Sequence, residues 1–226
     1  GGCDINCPAI IDNKRYDSSY VKKNYLLTEW FIKRNMQSIY LNVGCSFSLN
    51  EANQSILFKD VKKCVIPLKN VQEPDSFEKL WDLKCSNRLD LSEPILRDSS
   101  IEFDHVLMWS AYSATVIRKG MNFFIESLTM LKSMMPEEQF KRILIVVCAK
   151  KDKKTYDVLQ SLEMPIFWRF LNREAYTNMV SACDIYCSTT ISDAGPRTNY
   201  ESAALGTPII SFDNCNASDF LNDQNG

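Results

Sequence analysis

Two carboxylates with a cation between them stand in the segment SDAGPRTNYESAALGTPIISF, residues 192–212. Glu201 follows Arg197 by four residues, so in a helix the two side chains share a face. Such neighbours form a surface ion pair worth about 0.3–0.5 kcal/mol. Alternatively, the carboxylate accepts hydrogen bonds from the vicinal hydroxyls of a sugar. Asp193 lies just before this helix, where a turn or a helix-capping role is the simplest interpretation.

The helix predicted in this segment starts in a way that suits an anion. Pro196 is favoured at the first helical position, because its missing N–H would have no partner there. Gly195 allows close approach to the backbone. The amides of Arg197, Thr198 and Asn199 then point outwards at the positive end of the helix dipole, and such an end binds anions. A first-turn cation is unfavourable by about 0.3 kcal/mol or more, so Arg197 indicates either a bound anion or a solvated surface side chain.

A second group of cations follows another predicted strand, in the segment SAYSATVIRKGMNFF. Arg118 and Lys119 precede Gly120 at the start of a long helical pattern. Two cations at a strand end can neutralise a diphosphate. This interpretation gains weight if both segments lie at neighbouring strand ends of one sheet.

Apolar strands that alternate with amphipathic helices must position these groups. From residue 103 onwards we predict five strands, at 103–110, 143–149, 165–170, 185–189 and 208–212. The helices predicted between them span 119–135, 153–162, 173–184 and 196–205. This alternation is typical of α/β proteins in which helices cover both faces of a parallel sheet. We therefore predict an α/β fold with a Rossmann-like, doubly wound sheet, whose ligands bind at the carboxyl ends of the strands where the strand order reverses.

The preceding part of the chain has a looser pattern. We predict a helix over 16–34, a strand over 38–44, a helix over 47–58 and a strand over 61–67. Residues 68–77 contain Asn, Pro, Asp and Ser without periodicity and are the best candidate for a linker.

Composition limits the function classes. The net charge of −2 argues against a broad nucleic-acid surface, and no apolar run approaches the roughly 18 residues of a transmembrane helix. Several of the nine cysteines lie in apolar runs, which favours buried free thiols and a reduced, cytoplasmic setting. Cys3 and Cys7 supply at most half of a structural zinc site, and the single histidine, His105, excludes two-histidine metal motifs. We predict no metal site and no nucleic-acid partner.

Residues 173–212 resemble the donor-binding segment of group 1 glycosyltransferases, which have the GT-B fold. The family pattern has a helix with a Tyr, then Ala and Asp, and a strand that ends in Ser. It continues with a Glu, seven residues, a second Glu and Gly-Thr-Pro. The corresponding residues here are Tyr176, Ala182, Asp184, Ser188, Asp193, Glu201, Gly206, Thr207 and Pro208. The segment RKGMNFFIESL is similar to the family's Lys-Gly helix start, and weaker likenesses upstream extend the resemblance over nearly the whole chain.

The resemblance implies retaining transfer of a sugar from a nucleotide-diphosphate sugar to a glycan or lipid-linked acceptor, in polysaccharide biosynthesis. No metal ion or other cofactor is expected. The catalytic residues implied are Asp193, near the donor sugar, and Lys119, on the diphosphate, while Glu201 would hold the ribose hydroxyls. The remaining substrate-binding residues implied are Arg118, Ser188, Gly195, Pro196, Arg197, Thr198 and Asn199. The backbone around residues 169–171 would meet the nucleobase.

The resemblance also implies two domains. Residues 1–68 would be the remainder of an N-terminal acceptor domain, and residues 69–226 a truncated C-terminal domain that binds the nucleotide sugar. Because the chain starts without a methionine and stops in a polar turn, we expect a fragment of a two-domain enzyme that does not transfer sugar alone. For the full-length protein we expect a cytoplasmic location, with peripheral contact to a membrane as a further expectation.

The chain departs from the family pattern at four places. Asp193 is one methylene shorter than the usual Glu, and residues 194–196 replace a Gly-x-Gly. Ala114 stands where an Arg is usual, and Arg169 where a Gly is common. The alternatives therefore include a non-catalytic nucleotide-binding module or degenerate transferase, favoured by Asp193. Another GT-B enzyme, such as an epimerase or a phosphorylase, fits the Gly-Thr-Pro spacing less well.

Overall fold

The structure is a computed structural model, and its described parts fall into two compact units. It describes residues 10–11, 14–15, 30, 34, 40–43, 46–54, 60–65, 82, 102–191, 193, 196–213 and 217. The first unit comprises residues 1–69, 190–197 and 212–226, and the second comprises 70–189 and 198–211. The division at residue 68 into an acceptor and a donor domain stays a prediction.

The described part of the first unit contains short strands and a helix, and Trp30, Arg34 and Ala217 are also helical. The strands and the helix are β1 (Ile10–Ile11), β2 (Lys14–Arg15), β3 (Tyr40–Val43), α1 (Ser46–Gln54) and β4 (Lys62–Val65). Strands β1 and β2 pair antiparallel, and β3 and β4 pair parallel. The predicted elements at 38–44, 47–58 and 61–67 are thus confirmed where the structure describes their residues. The predicted linker at 68–77, most of the predicted helix at 16–34, and Cys3 and Cys7 lie outside the described residues.

The second unit is a parallel sheet with helices between its strands. The strands are β5 (His105–Ser113), β6 (Ile143–Lys150), β7 (Ile166–Trp168), β8 (Ile185–Ser188) and β9 (Ile209–Ser211). The helices are α2 (Met121–Met134), α3 (Glu137–Phe140), α4 (Lys153–Gln160), α5 (Arg173–Ala182) and α6 (Arg197–Ala204), and the 3₁₀ turn Ile117–Lys119 precedes α2. The strand order is β7-β6-β5-β8-β9, and each neighbouring pair is parallel. This confirms the predicted α/β, doubly wound fold.

Alternate residues of the central strands build the core on each face of the sheet. In β6, Ile145 and Val147 pack with Phe124 and Leu128 of α2. Their neighbours Leu144 and Val146 pack on the other face, in a cluster that includes residues of α5. A strand covered on both faces must be apolar at every position. The fully apolar run of β6 therefore follows from its place in the sheet.

The strand order reverses between β5 and β8. The chain runs outwards from β5 through β6 to β7 and then returns to the other side of β5 at β8. At its carboxyl end β5 is irregular, because the register shifts between Ser110 and Ser113 before Ser113 pairs with Lys150. Bulges of this kind redirect side chains near functional sites. The edge formed by the carboxyl ends of the strands, called here the carboxyl edge, is thus the expected ligand site.

Candidate functional site

The loop that carries Lys119 is fixed to the end of β8 by one hydroxyl group. Thr189 Oγ1 donates to the carbonyl oxygen of Gly120 at 2.8 Å and lies 3.2 Å from that of Lys119. The same oxygen accepts a hydrogen bond from Trp109 Nε1 at 2.9 Å. Trp109 is 1% exposed and stacks against Phe124 of α2. The predicted cation therefore lies on a loop that is attached to β5, β8 and α2 at the point of strand reversal.

Gly120 is required where this loop meets β8. Its φ is +68°, in the left-handed region that favours glycine. A Cβ at this position would lie 1.9 Å from the carbonyl oxygen of Thr189. A glycine at this position is thus required both by the backbone conformation and by the close approach of the loop to the end of β8.

Glu201 is buried in the second turn of α6 and is paired with a cation. Arg173 Nη1, from the first residue of α5, donates to Glu201 Oε1 at 2.8 Å. The side chain of Glu201 is 5% exposed and that of Arg173 is 48% exposed. An ionised carboxylate is buried at an acceptable cost only when it is paired. The spacing along α6 predicts Arg197 as a neighbour of Glu201, and it gives no sign of Arg173.

Three side-chain hydroxyl groups lie close together beside the hydrocarbon core of this face of the sheet. Ser110 Oγ lies 2.7 Å from Tyr186 Oη and 3.5 Å from Tyr176 Oη. Burial raises the pKa of Tyr186 to about 12, and Ser110 and Thr198 hydrogen-bond its side chain. Burial likewise raises the pKa of Tyr176 well above its ordinary value, and the Glu201 charge contributes to the rise for both tyrosines. Glu201 therefore lies in a buried polar cluster at the carboxyl edge.

The other predicted site residues differ in their exposure. Helix α6 begins at Arg197, one residue after the predicted start at Pro196. Arg197 is exposed, Arg118, Asp193 and Thr198 are half-buried, and Ser188, Pro196 and Asn199 are buried. Asp193, Pro196 and Arg197 belong to the first unit, whereas Lys119 and Glu201 belong to the second. Gly195 lies outside the described residues.

Two residues of the Ala-x-Asp and Gly-Thr-Pro segments have structural roles. Asp184 Oδ2 accepts a hydrogen bond from the amide of Val106 at 2.8 Å, which links the start of β8 to β5. Thr207 Oγ1 donates to the carbonyl oxygen of Val180 at 2.7 Å, which ties the end of α6 to α5. Gly206 has a φ of +63° and ends the helix. These segments thus fix the helices that carry Arg173 and Glu201.

Exposed aromatic rings and a lysine lie further along the carboxyl edge. The ring of Tyr112, at the end of β5, meets that of Phe170 edge-to-face with centroids 6.0 Å apart. Lys150 Nζ lies 4.0 Å from the centroid of the Tyr112 ring and is hydrogen-bonded to its hydroxyl. Tyr112 and Phe170 are 65% and 55% exposed. Sequence reasoning placed the nucleobase near residues 169–171 but did not identify these side chains.

Three further sequence expectations concern metal sites, disulfides and membrane-spanning helices. Among them, no group of three or more His, Cys, Asp or Glu side chains could hold a metal ion. Cys64, Cys148, Cys183 and Cys187 are free thiols. No helix in the described ranges has the length and apolar character needed to cross a membrane.

Comparison with known proteins identifies the family. The family model for glycosyl transferases group 1 matches residues 109–226, which is more than half of the chain. The chain belongs to the group 1 glycosyltransferase family. The match contains both the Lys119 loop and the Glu201 helix. No curated protein matches the chain significantly in sequence.

Solved structures show the same fold at low sequence identity. WaaG, a glycosyltransferase involved in lipopolysaccharide biosynthesis, is similar with a TM-score of 0.61 and 15% identity, over 90% of this chain and 52% of that one. S. aureus TarM is similar with a TM-score of 0.57 and 14% identity, over 93% of this chain and 37% of that one. A UDP-forming trehalose-phosphate synthase from Burkholderia xenovorans is similar with a TM-score of 0.58 and 12% identity, over 90% of this chain and 53% of that one. These likenesses confirm the predicted Rossmann-like, GT-B type fold, and the chain spans about half or less of each of these proteins.

Proposed function

We propose that this group 1 protein is a retaining glycosyltransferase that moves a sugar from a nucleotide-diphosphate sugar to a glycan or lipid-linked acceptor. The observation that carries the proposal is that the Lys119 loop and Glu201 are both fixed at the carboxyl edge, around β5 and β8. Two similar structures, pneumococcal GtfA and S. aureus TarM, are complexes with UDP. The role of WaaG in lipopolysaccharide biosynthesis supports an acceptor in polysaccharide assembly.

The roles follow from the charge that develops during transfer. Cleavage of the sugar–phosphate bond leaves negative charge on the diphosphate, and Lys119, with Arg118 beside it, would stabilise that charge. Glu201 would accept hydrogen bonds from the ribose hydroxyls. Asp193 would lie near the sugar, whose ring gains cationic character that a carboxylate stabilises. The roles of Asp193 and of residues 195–199 rest on the family resemblance.

The proposed activity needs no metal ion and has a proposed location in the cell. Donor binding and transfer would need no metal ion, and the full-length protein would work in the cytoplasm with peripheral contact to a membrane. We also propose that this 226-residue chain binds the donor without transferring sugar, because it spans about half of WaaG. Efficient transfer by the 226-residue chain would contradict that part of the proposal.

Crystals of the chain soaked separately with UDP-, GDP- and ADP-glucose test the proposal. We expect diphosphate density beside Lys119 and ribose density beside Glu201 with at least one donor. Ordered nucleotide elsewhere on the chain, or none with any donor, would contradict it.

The alternative of a non-catalytic nucleotide-binding module rests on Asp193, which is shorter than the usual Glu. A slow, donor-specific hydrolysis by the full-length protein separates the two functions. A transferase releases the nucleoside diphosphate from its donor over time, whereas a binding module leaves the donor intact.

A further inference from the structure

The carboxylate proposed to hold the ribose is attached to a residue far away in the sequence. Arg173 and Glu201 are 28 residues apart, on α5 and α6, and their Nη1 and Oε1 atoms are 2.8 Å apart. Glu201 is almost fully buried while Arg173 is half exposed. The guanidinium therefore extends from the surface to a carboxylate that has little contact with solvent.

The backbone on both sides of this pair is fixed. The Asn172 side chain caps α5 by accepting a hydrogen bond from the amide of Ala175 at 2.9 Å. Arg173 is the first residue of that helix, just beyond the carboxyl end of β7, and its guanidinium lies 6.0 Å from the centroid of the Tyr176 ring. Thr207 ties the far end of α6 to α5. A carboxylate held between two fixed helices has little freedom to rotate.

We infer that Arg173 positions Glu201 for the ribose of the donor nucleotide, an inference that rests on the proposed function. The guanidinium holds Oε1 through a charge-assisted hydrogen bond, which is short and directional. An ionised carboxylate accepts about four hydrogen bonds on its two oxygens. Pairing with Arg173 is thus compatible with acceptance from the vicinal 2′- and 3′-hydroxyls. Arg173 is a positioning residue, because it acts on the nucleotide through Glu201.

Discrimination between ribose and deoxyribose tests the inference. Calorimetric titration of the chain with UDP and dUDP, GDP and dGDP, and ADP and dADP gives the ratio of ribo- to deoxyribonucleotide affinity. We expect a ratio of about tenfold or more for the base that binds best, because hydrogen bonds to charged groups are the stronger ones. Arg173→Met should lower that ratio to about two or less, and Arg173→Lys should restore part of it.

The control separates a local role from general loss of structure. Arg142 pairs with Asp104 at 2.5 Å and is 44% exposed, but it lies at the amino ends of the strands. Arg142→Met should leave the ribose ratio unchanged. Urea unfolding of each variant shows whether it is folded. If Arg173→Met lowers the stability but leaves the ratio of ribo- to deoxyribonucleotide affinity unchanged, the inference is overturned. Tighter nucleotide binding by Arg173→Met would also overturn it, since the guanidinium would then compete with the ribose.

Failure of the proposed function has a different outcome. If the unsubstituted chain binds no nucleotide, or binds ribo- and deoxyribonucleotides equally, the role of Glu201 in ribose binding is wrong and the inference falls with it. If the unsubstituted chain discriminates and Arg173→Met discriminates equally well, the proposed function stands and only the inference fails.

Discussion

Substitution of Gly120 tests whether the Lys119 loop is held against β8 as described. The new Cβ of Gly120→Ala would lie 1.9 Å from the Thr189 carbonyl oxygen, whereas ordinary contacts begin near 3.4 Å. The alanine would also occupy a left-handed conformation, at roughly 1–2 kcal/mol. Moving the loop away breaks the Thr189–Gly120 hydrogen bond and disturbs the partner of the buried Trp109 indole, at about 1–3 kcal/mol together. We therefore expect a loss of about 2–5 kcal/mol in the free energy of unfolding.

Urea unfolding followed by circular dichroism measures this loss. Gly206→Ala is the matched control, because Gly206 also has a positive φ, +63°, but is exposed at the end of α6. The control should lose only the conformational part, roughly 1–2 kcal/mol. Equal losses for the two variants would refute the close approach of Gly120 to Thr189.

Two further predictions concern Tyr186 and Asp152, and a third concerns metal ions. Because burial raises the pKa of Tyr186 to about 12, its contribution to stability is complete below its unfolded pKa of about 10 and is lost as the pH rises towards 12. Urea unfolding between about pH 9 and pH 11 should show that decline, and Tyr186→Phe should flatten it; an equally steep decline in the variant would contradict this assignment. Thr155 hydrogen-bonds the capping carboxylate of Asp152 and lowers its pKa, so the cap stabilises the protein above the ordinary pKa near 4 and less as the pH falls below it. Asp152→Ala should lower the melting temperature at neutral pH and weaken its acid dependence, and an unchanged acid dependence would count against the cap. Nucleotide binding should survive EDTA, and a loss of affinity restored by Mg²⁺ would show that a metal is needed.

The strands of the second unit could be predicted because their environment dictates their composition. Residues 143–149 are apolar at every position, as a strand buried on both faces requires. Strand β5 extends three residues beyond its predicted end at Ser110. The extension depends on pairing of Ser113 with Lys150 across a bulge. That pairing is a tertiary contact between polar residues, and local periodicity does not show it.

The candidate site could be predicted only where its residues form local patterns along the chain. The helix start at Pro196, which the structure places one residue later, and the Lys-Gly segment are local patterns, and each was predicted from neighbouring residues. The Arg173–Glu201 pair spans 28 residues and the Thr189–Gly120 hydrogen bond spans 69. Neither has a local pattern. Arg173 is also a cation in the first turn of a helix, and its anion is Glu201. In the sequence this pattern was noted only for Arg197.

Binding of nucleoside diphosphates to the chain and to two site variants tests the central claim most directly. Lys141→Met and Glu137→Gln, which remove an ion pair near the amino end of β6, serve as matched controls for Lys119→Met and Glu201→Gln. We expect that UDP, GDP or ADP binds, that each site variant weakens this binding about tenfold or more, and that the controls leave it unchanged. Equal affinity in the site variants and the unsubstituted chain would contradict it.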